Sequence, residues 1–362
     1  MSIIKVQNLQ KKFDLNGDNS QTVLSDVNFS VKEGECLSII GPNGSGKTTL
    51  LSIIGLLIPP TRGKVLYKGR NVTDLSKREK VKVRREFSLV RQKPVVLDTS
   101  VYNNIAYGLR VRNVDRTMIK KQVNKIIDMV GLEGFKNQNA RSLSGGEMQR
   151  VAIAMNFVLD PEIYLLDEVS ANLDPKNVSL VERFINKIKN ENKTIIISTH
   201  DRTEAIKFSD RVAVLTNGKI SQIGSINDVF TSPKNEYAAV FVGYENVFLG
   251  KAKFNENIGL TRIKVNDITI NASVRKEGKV KVCIKPESIG LSKNPPAKTS
   301  YQNSIHGTIT QIRDLGNINH IKAKCDSTEF LISITKLSLK DLNLDIGSKV
   351  FLNFKATDIE LL

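Results

Sequence analysis

Gly41-Pro42-Asn43-Gly44-Ser45-Gly46-Lys47-Thr48-Thr49 follows the apolar run Cys36-Leu37-Ser38-Ile39-Ile40 and precedes Leu50-Leu51-Ser52-Ile53-Ile54. The stretch fits the spacing G-x-x-x-x-G-K-S/T and lies between a strand-like and a helix-like segment, in the order that spacing requires. Gly41, Gly44 and Gly46 let the backbone wrap tightly with its N–H groups inward, and the helix that follows turns its positive dipole end to the same point. Lys47 adds a point charge suited to the β- and γ-phosphates of a nucleotide, and the Thr48 hydroxyl is placed to ligate Mg²⁺. A glycine-rich turn without a ligand is the bland alternative. Lys-Thr in this strand–helix setting favours a nucleoside triphosphate site.

Outward from the loop, residues 1 to about 235 alternate strand-like and helix-like segments, which predicts an α/β domain on a parallel sheet. Ile163-Tyr164-Leu165-Leu166-Asp167 and Thr194-Ile195-Ile196-Ile197-Ser198-Thr199 are short continuous apolar runs, as strands covered on both faces require. Between them Val181, Phe184, Ile185 and Ile188 recur at helical spacing. The stretch from about 75 to 160 is rich in helix signals and predicts a separate helical lobe. From 236 to 362 the segments become short and alternating with Gly at turns, which predicts a small all-β, OB-like domain. Ser292-Lys293-Asn294-Pro295-Pro296-Ala297-Lys298 reads as a linker between two modules, about 246–291 and 300–362. Lys285…Ile289-Gly290-Leu291 echoes Lys355…Ile359-Glu360-Leu361, each after a Gly and a Lys-Val pair; two related modules or coincidence would both produce it.

Composition sets wider limits. A chain of 362 residues with 40% hydrophobic and 25% charged residues is ordinary for a soluble globular protein. No apolar stretch nears the ~20 residues that span a membrane, and Met1-Ser2-Ile3-Ile4-Lys5-Val6 reads as a first strand rather than a signal segment. Cys36, Cys283 and Cys325 are isolated in apolar runs and read as reduced core residues in a cytoplasmic protein, not as metal ligands. The net charge of +17 invites a nucleic-acid reading, but Lys and Arg are scattered over the whole chain and no nucleic-acid partner is expected. The densest cluster, Lys77 to Arg85, reads first as a solvated face, then as a surface near anionic headgroups, then as a nucleic-acid patch.

Further elements join the loop. The strand ending in Asp167-Glu168 offers one carboxylate for the Mg²⁺ shell and a second toward the γ-phosphate, where a base or water-orienting group is needed. Leu143-Ser144-Gly145-Gly146-Glu147 opens another helix: Ser144 reads as its N-cap, and Gly145 and Gly146 leave its first N–H groups uncovered for an anion. Two phosphate-binding helix ends in different lobes suggest a sandwich in which the second completes a partner's site.

In this combination the chain resembles the ATP-binding cassette family over residues 1 to about 240. The resemblance places Gln92 at the Q-loop, Asp174 at the D-loop, His200 at the switch histidine and Phe13 where the family stacks an aromatic on adenine. It implies ATP and Mg²⁺ as cofactors. ATP would lie against Phe13, Gly41, Pro42, Asn43, Gly44, Ser45, Gly46, Lys47, Thr48 and Thr49, and Ser144, Gly145, Gly146 and Asp174 of a second copy would close the site. Thr48, Gln92 and Asp167 would hold the metal, with Glu168, His200 and Gln92 carrying hydrolysis. It also implies a homodimer at the cytoplasmic face of the membrane, integral-membrane permease subunits, and an extracytoplasmic solute-binding protein acting indirectly. Three positions depart from the pattern: Glu147 for the usual Gln, Val169 for the Pro after the catalytic Glu, and Arg91 for the aromatic before Gln92.

One cassette without heptads or fused membrane helices resembles the ATPase subunit of an importer. The tail narrows the cargo, because residues 300–362 resemble the molybdate-binding module of molybdate and tungstate importers. Ser300-Tyr301-Gln302-Asn303 with Gly307, Ile334 to Ser338, and Phe354 to Thr357 parallel its motifs. The resemblance assigns an oxyanion to Ser300, Thr335, Ser338, Lys355 and Ala356, although Gln302 replaces the family's Arg. A module that only braces the dimer is the alternative. Gln92 to Tyr102 is similar to the matching stretch of tungstate-type and phosphate cassettes. The expected order of cargo is tungstate or molybdate, then sulfate, then phosphate, with a non-transport ATPase regulator as the rival class.

Overall fold

The computed structural model describes residues 2–14, 20–171, 173–297 and 299–362. The chain divides into two compact units, Met1–Asn227 and Asp228–Leu362. The division lies ahead of the 235/236 boundary read from sequence: Phe230 packs with Phe241 beside the buried Ala239, Val242, Tyr244 and Cys283 of the second unit.

The strands of the first unit are β1 (Ser2–Asp14), β2 (Ser20–Lys32), β3 (Cys36–Ile40), β4 (Arg62–Tyr67), β5 (Arg70–Asn71), β6 (Phe87–Val90), β7 (Ile163–Asp167), β8 (Thr194–Thr199), β9 (Arg211–Thr216) and β10 (Lys219–Ser225). Its helices are α1 (Lys47–Ile54), α2 (Lys77–Arg84), α3 (Val101–Val111), α4 (Arg116–Met129), α5 (Gly145–Phe157), α6 (Pro175–Asn190) and α7 (Arg202–Phe208). The central sheet runs β10-β9-β3-β8-β7-β6, and β2-β1-β4-β5 form a second, antiparallel sheet. Within the central sheet β9, β3, β8, β7 and β6 are parallel neighbours and β10 is antiparallel to β9.

Every residue of β3, β7 and β8 is buried, which a strand covered on both faces demands. One face packs against α3 to α6 through Val101, Ile105, Val123, Val151, Phe157 and Phe184. The other packs on α1 and the antiparallel sheet through Leu50, Ile53, Val6 and Val65. Helix α6 has Asp174 as its N-cap, Pro175 in its first turn, and Leu180, Val181, Phe184, Ile185 and Ile188 on its buried side. The lobe expected from residue 75 begins later than the sequence suggested. Phe87, Ser88 and Val90 are buried where β6 pairs with β7, so this stretch is the edge of the central sheet.

The second unit opens with α8 (Ile226–Thr231) at the division and α9 (Glu236–Phe241). Then come β11 (Asn246–Asn255), β12 (Leu260–Val265), β13 (Ile268–Ala272), β14 (Gly278–Ile284), β15 (Gly290–Ser292), β16 (Asn303–Asp314), β17 (Ile318–Cys325) and β18 (Thr328–Thr335), followed by α10 (Lys336–Asp341), β19 (Lys349–Phe354) and β20 (Ile359–Leu361). Two five-stranded sheets form, β13-β12-β11-β14-β20 and β15-β19-β16-β17-β18. The short last strand of each module therefore belongs to the other module's sheet. The echoed segments are these exchanged pieces: Pro286–Ser288 and Ala356–Asp358 each make one 3₁₀ turn and lead into β15 and β20.

Two asparagines seal the exchange. Asn246 Nδ2 donates to Ile284 O at 3.3 Å and to Leu331 O at 2.8 Å, and its Oδ1 accepts from Leu331 N at 2.7 Å. Asn303 repeats this toward Phe354 O (3.4 Å), Asn271 O (2.9 Å) and Asn271 N (2.7 Å). Ile263, Ile270, Val282, Ile309, Phe330, Leu352 and Leu361 share a single core. The two modules thus share one compact unit. Cys283 and Cys325 lie inside it, and burial pushes their thiols up to about 12.

Candidate functional site

Because β3, β6, β7 and β8 are parallel, the residues that follow them emerge at one edge of the sheet, where ligands of α/β proteins bind. Gly41 follows β3, Gln92 lies just beyond β6, Glu168 follows β7 and His200 follows β8. A cavity of about 680 Å³ is lined by Asn43, Gly44, Gly46, Lys47, Thr48, Thr49, Gln92, Glu168 and His200, together with Gln21 and Val23 of β2.

Gly46 caps α1 at φ 105°, a conformation that glycine alone adopts without strain. Ser45 Oγ is buried without a hydrogen-bond partner, so the cradle carries an orphaned polar atom of the kind a phosphate oxygen would satisfy. Lys47 Nζ donates to Gly41 O at 2.8 Å and to Pro42 O at 3.2 Å, and it lies 3.3 Å from Glu168 Oε1. His200 Nδ1 is 3.6 Å from Glu168 Oε2. Glu168 stands at φ 48° with its N–H on Ser198 O at 3.0 Å, which turns its carboxylate out of the strand line. Asp167 is buried beneath and accepts from Ser198 Oγ at 2.5 Å. Thr48 and Gln92 line the cavity and Asp167 is buried at the end of β7; each offers an oxygen of the kind a hard cation such as Mg²⁺ takes.

Phe13 is 38% exposed, lies opposite Gln21 in the β1–β2 register, and has Lys11 Nζ 4.8 Å from its ring centroid. It does not line the cavity. Gln21 and Val23 do, and sequence reading missed them because neither carries a motif; β2 is brought there by tertiary packing, with Val23 O beside Gly46 and Ser25 N donating to Gly218 O at 2.8 Å.

Ser144, Gly145, Gly146 and Asp174 form a second group outside this cavity. A side-chain carbon on Gly146 would come within 2.3 Å of Asn177 Nδ2, and Asn177 Nδ2 is 2.6 Å from Asp174 Oδ2. Ser144 caps α5 in a capping box with Glu147, whose Oε2 accepts from Ser144 N at 2.9 Å and from Ser144 Oγ at 2.7 Å. Those bonds from Ser144 hold the Glu147 carboxyl below its usual range. The unusual Glu147 thus fills a capping role that Gln also fills.

The five oxyanion candidates do not converge within one chain. Ser300, Lys355 and Ala356 flank the start of β16, where Asn303 pairs with Phe354. Thr335 pairs with Ile318, beyond the end of β16 at Asp314, and caps α10 with Ser338 N at 3.1 Å. A strand as long as β16 separates the groups by on the order of 30 Å. The Ala356 N–H is already bonded to Gln302 Oε1 at 2.9 Å. The residue that replaces the family's Arg removes a charge and also covers a donor.

The ABC transporter family profile matches residues 24–171, and the TOBE domain profile matches residues 299–361. The chain is 36% identical over 350 residues to the molybdate/tungstate import ATP-binding protein WtpC of Pyrococcus abyssi, covering 95% of this chain and 97% of that one. It is 35% identical over 361 residues to WtpC of Pyrococcus horikoshii, covering 99% of each. It is also 30% identical over 364 residues to the spermidine/putrescine import ATP-binding protein PotA of Spiroplasma citri, covering 100% of this chain and 97% of that one. Among solved structures, a dimeric ATP-binding cassette in a post-hydrolysis state bound to ADP and Pi aligns with a TM-score of 0.58 at 31% identity, covering 62% of this chain and 98% of that one. Among the described residues, no helix is long and apolar enough to cross a membrane.

Proposed function

The chain belongs to the ABC transporter family, and on that premise we propose that it is the ATP-hydrolysing subunit of an importer whose cargo is tungstate or molybdate. The observation that carries the enzymatic part is the single cavity joining Lys47, Gln92, Glu168 and His200. Its backbone N–H groups and Lys47 bind the triphosphate. Glu168 polarises the attacking water, and His200, beside it, contacts the γ-phosphate and orients the reaction. Thr48, Gln92 and Asp167 would hold Mg²⁺, which supplies charge neutralisation on the phosphates when bound.

Ser144, Gly145, Gly146 and Asp174 sit apart from their own P-loop, which supports their service to a second copy's nucleotide in a head-to-tail dimer. Val95, Leu97, Tyr107 and Val111 are exposed apolar residues just after Gln92, which supports docking of permease subunits there, at the cytoplasmic face of the membrane. An extracytoplasmic solute-binding protein would deliver cargo to those subunits.

Cargo rests on the full-length likeness to the two import proteins named for molybdate and tungstate. A polyamine is the second reading, favoured by the PotA likeness and by the missing positive charge at Gln302. Oxyanion feedback at the tail would require the Ser300–Lys355–Ala356 end of one copy to meet the Thr335–Ser338 end of another. Uptake of labelled tungstate and labelled spermidine by cells with and without this gene separates the cargoes. Tungstate uptake that depends on the gene supports the proposal, and spermidine uptake alone overturns its cargo.

A further inference from the structure

The loop carrying Glu168 is fastened by buried side chains, Gln149 and Glu204, that do not line the P-loop cavity. Val169 O accepts from Gln149 Nε2 of α5 at 3.2 Å, and Gln149 is 2% exposed. The next residue, Ser170, donates its hydroxyl to Glu204 Oε1 of α7 at 3.0 Å. Glu204 is 7% exposed, and its N–H is bonded to Asp201 Oδ1 at 3.2 Å. Its other oxygen has no partner in hydrogen-bonding geometry. Burial raises the Glu204 carboxyl's pKa, although the nearby Thr199 and Ser170 hydroxyls favour its charged form. A carboxyl kept so deep against its desolvation cost asks for a reason.

Its neighbours supply one. Ser170 is two residues past Glu168, and Thr199 directly precedes His200. Glu168, Ser170, Thr199, His200 and Glu204 line one cavity of about 400 Å³. The two loops leave the adjacent strands β7 and β8, and Glu204 is the side chain set behind both. Val169 leaves its backbone free where a proline would fix φ, and Glu168 holds a left-handed conformation that its surroundings must enforce. We propose that Glu204 is a positioning residue for hydrolysis, fixing the Glu168 carboxylate relative to His200 through Ser170. Its carboxyl reacts with nothing; it acts through where it holds the loop.

This rests on the hydrolysis reading, and the experiment separates the two. Steady-state ATPase of the full chain is measured for wild type, Glu168→Gln, Ser170→Ala, Glu204→Ala, Glu204→Gln and the Ser170→Ala/Glu204→Ala double variant. Loss of the bond should lower kcat about ten- to a hundredfold in Ser170→Ala and Glu204→Ala, with KM for ATP within about twofold of wild type. The double variant should be no worse than the stronger single one, because both remove the same bond. Glu204→Gln keeps an acceptor for Ser170 and should stay within about threefold of wild type. A bracing role alone would lower Tm while leaving kcat of the folded protein intact. If Glu204→Ala does not fold, Ser170→Ala and Glu204→Gln carry the test. Ser170→Ala within twofold of wild type, or singles whose effects multiply in the double, overturns the proposal. A Glu168→Gln variant as active as wild type fails the hydrolysis reading itself, and this proposal with it.

Discussion

The P-loop cavity and the tail differ in how their parts are gathered. In the cassette each functional residue follows its own buried parallel strand, so sheet pairing alone brings Gly41, Gln92, Glu168 and His200 to one edge. In the tail the motif residues sit at the two ends of β16, and the short strands that complete each sheet come from the other module. A local motif followed by a helix fixes its own geometry. A motif spread over a strand-exchanged pair does not.

The largest effect expected from this difference lies in the cassette. Glu168→Gln should cut kcat by about a thousandfold, within the range for loss of a positioned base, while ATP still binds and the chain accumulates as a nucleotide-bound dimer on size exclusion. The backbone cradle and the Lys47 bonds to Gly41 O and Pro42 O are kept, and only the charge pairing of Lys47 with Glu168 is lost. A variant that turns over normally, or fails to bind ATP, would break the claim that each strand end contributes an independent part.

The next effect tests whether the tail is one unit. Asn303→Ala strands the N–H and C=O of Asn271 in the first module and the C=O of Phe354 in its own. At about 1–3 kcal/mol for the buried Phe354 carbonyl, and less for the two part-buried Asn271 groups, the second unit should lose about 2–4 kcal/mol, and Asn246→Ala should lose as much. Hydrogen exchange should rise in β13 as well as in β16 and β19. Faster exchange confined to residues 300–362 would show two independent modules.

These cases mark what the sequence made legible. The order of strands and helices, the phosphate loop and the helix opening at Ser144 were readable because each depends on neighbours within one turn or strand. Gln21 and Val23 were not, since they reach the cavity only by the tertiary packing of β2 beside the loop. The strand exchange was half visible: the echo of Lys285–Leu291 in Lys355–Leu361 marked the exchanged pieces, but a repeat does not say which sheet its last strand joins. The pairs Asn246…Gly250 and Asn303…Gly307 repeat too, and the structure shows that both asparagines reach across to the other module. Glu204 escaped notice because a single acid in a helix is usually solvated, and only its bond to Ser170 gives it meaning.

A smaller effect concerns the covered donor. Gln302→Arg returns a positive charge beside Lys355 and frees the Ala356 N–H. Calorimetry should then show tungstate binding about tenfold tighter than to the wild-type chain, the scale of one charge-assisted bond, with Lys355→Ala reversing the gain. Equal heats for wild type and Gln302→Arg would leave the tail as a brace.

The smallest effect sits where the cassette departs from its family. Glu147 closes the capping box of α5, and its negative charge favours the positive helix end. That same end is the one proposed to face a second copy's γ-phosphate, so the charge stabilises the free helix and repels the anion it should receive. Gln at this position keeps the reciprocal bonds with Ser144 and removes only the charge. Tm should therefore fall slightly, while ATP-driven dimerisation of Glu147→Gln tightens about two- to fivefold, the size of a single charge at a helix terminus. Because the term is Coulombic and close to solvent, the advantage should shrink between low salt and about 0.5 M salt. Sedimentation at two ionic strengths, in a Glu168→Gln background that halts turnover, measures it. A dimerisation constant unchanged by Glu147→Gln at low salt would mean that the α5 terminus does not face a phosphate in the dimer, and would weaken the head-to-tail reading where its geometry is most exposed.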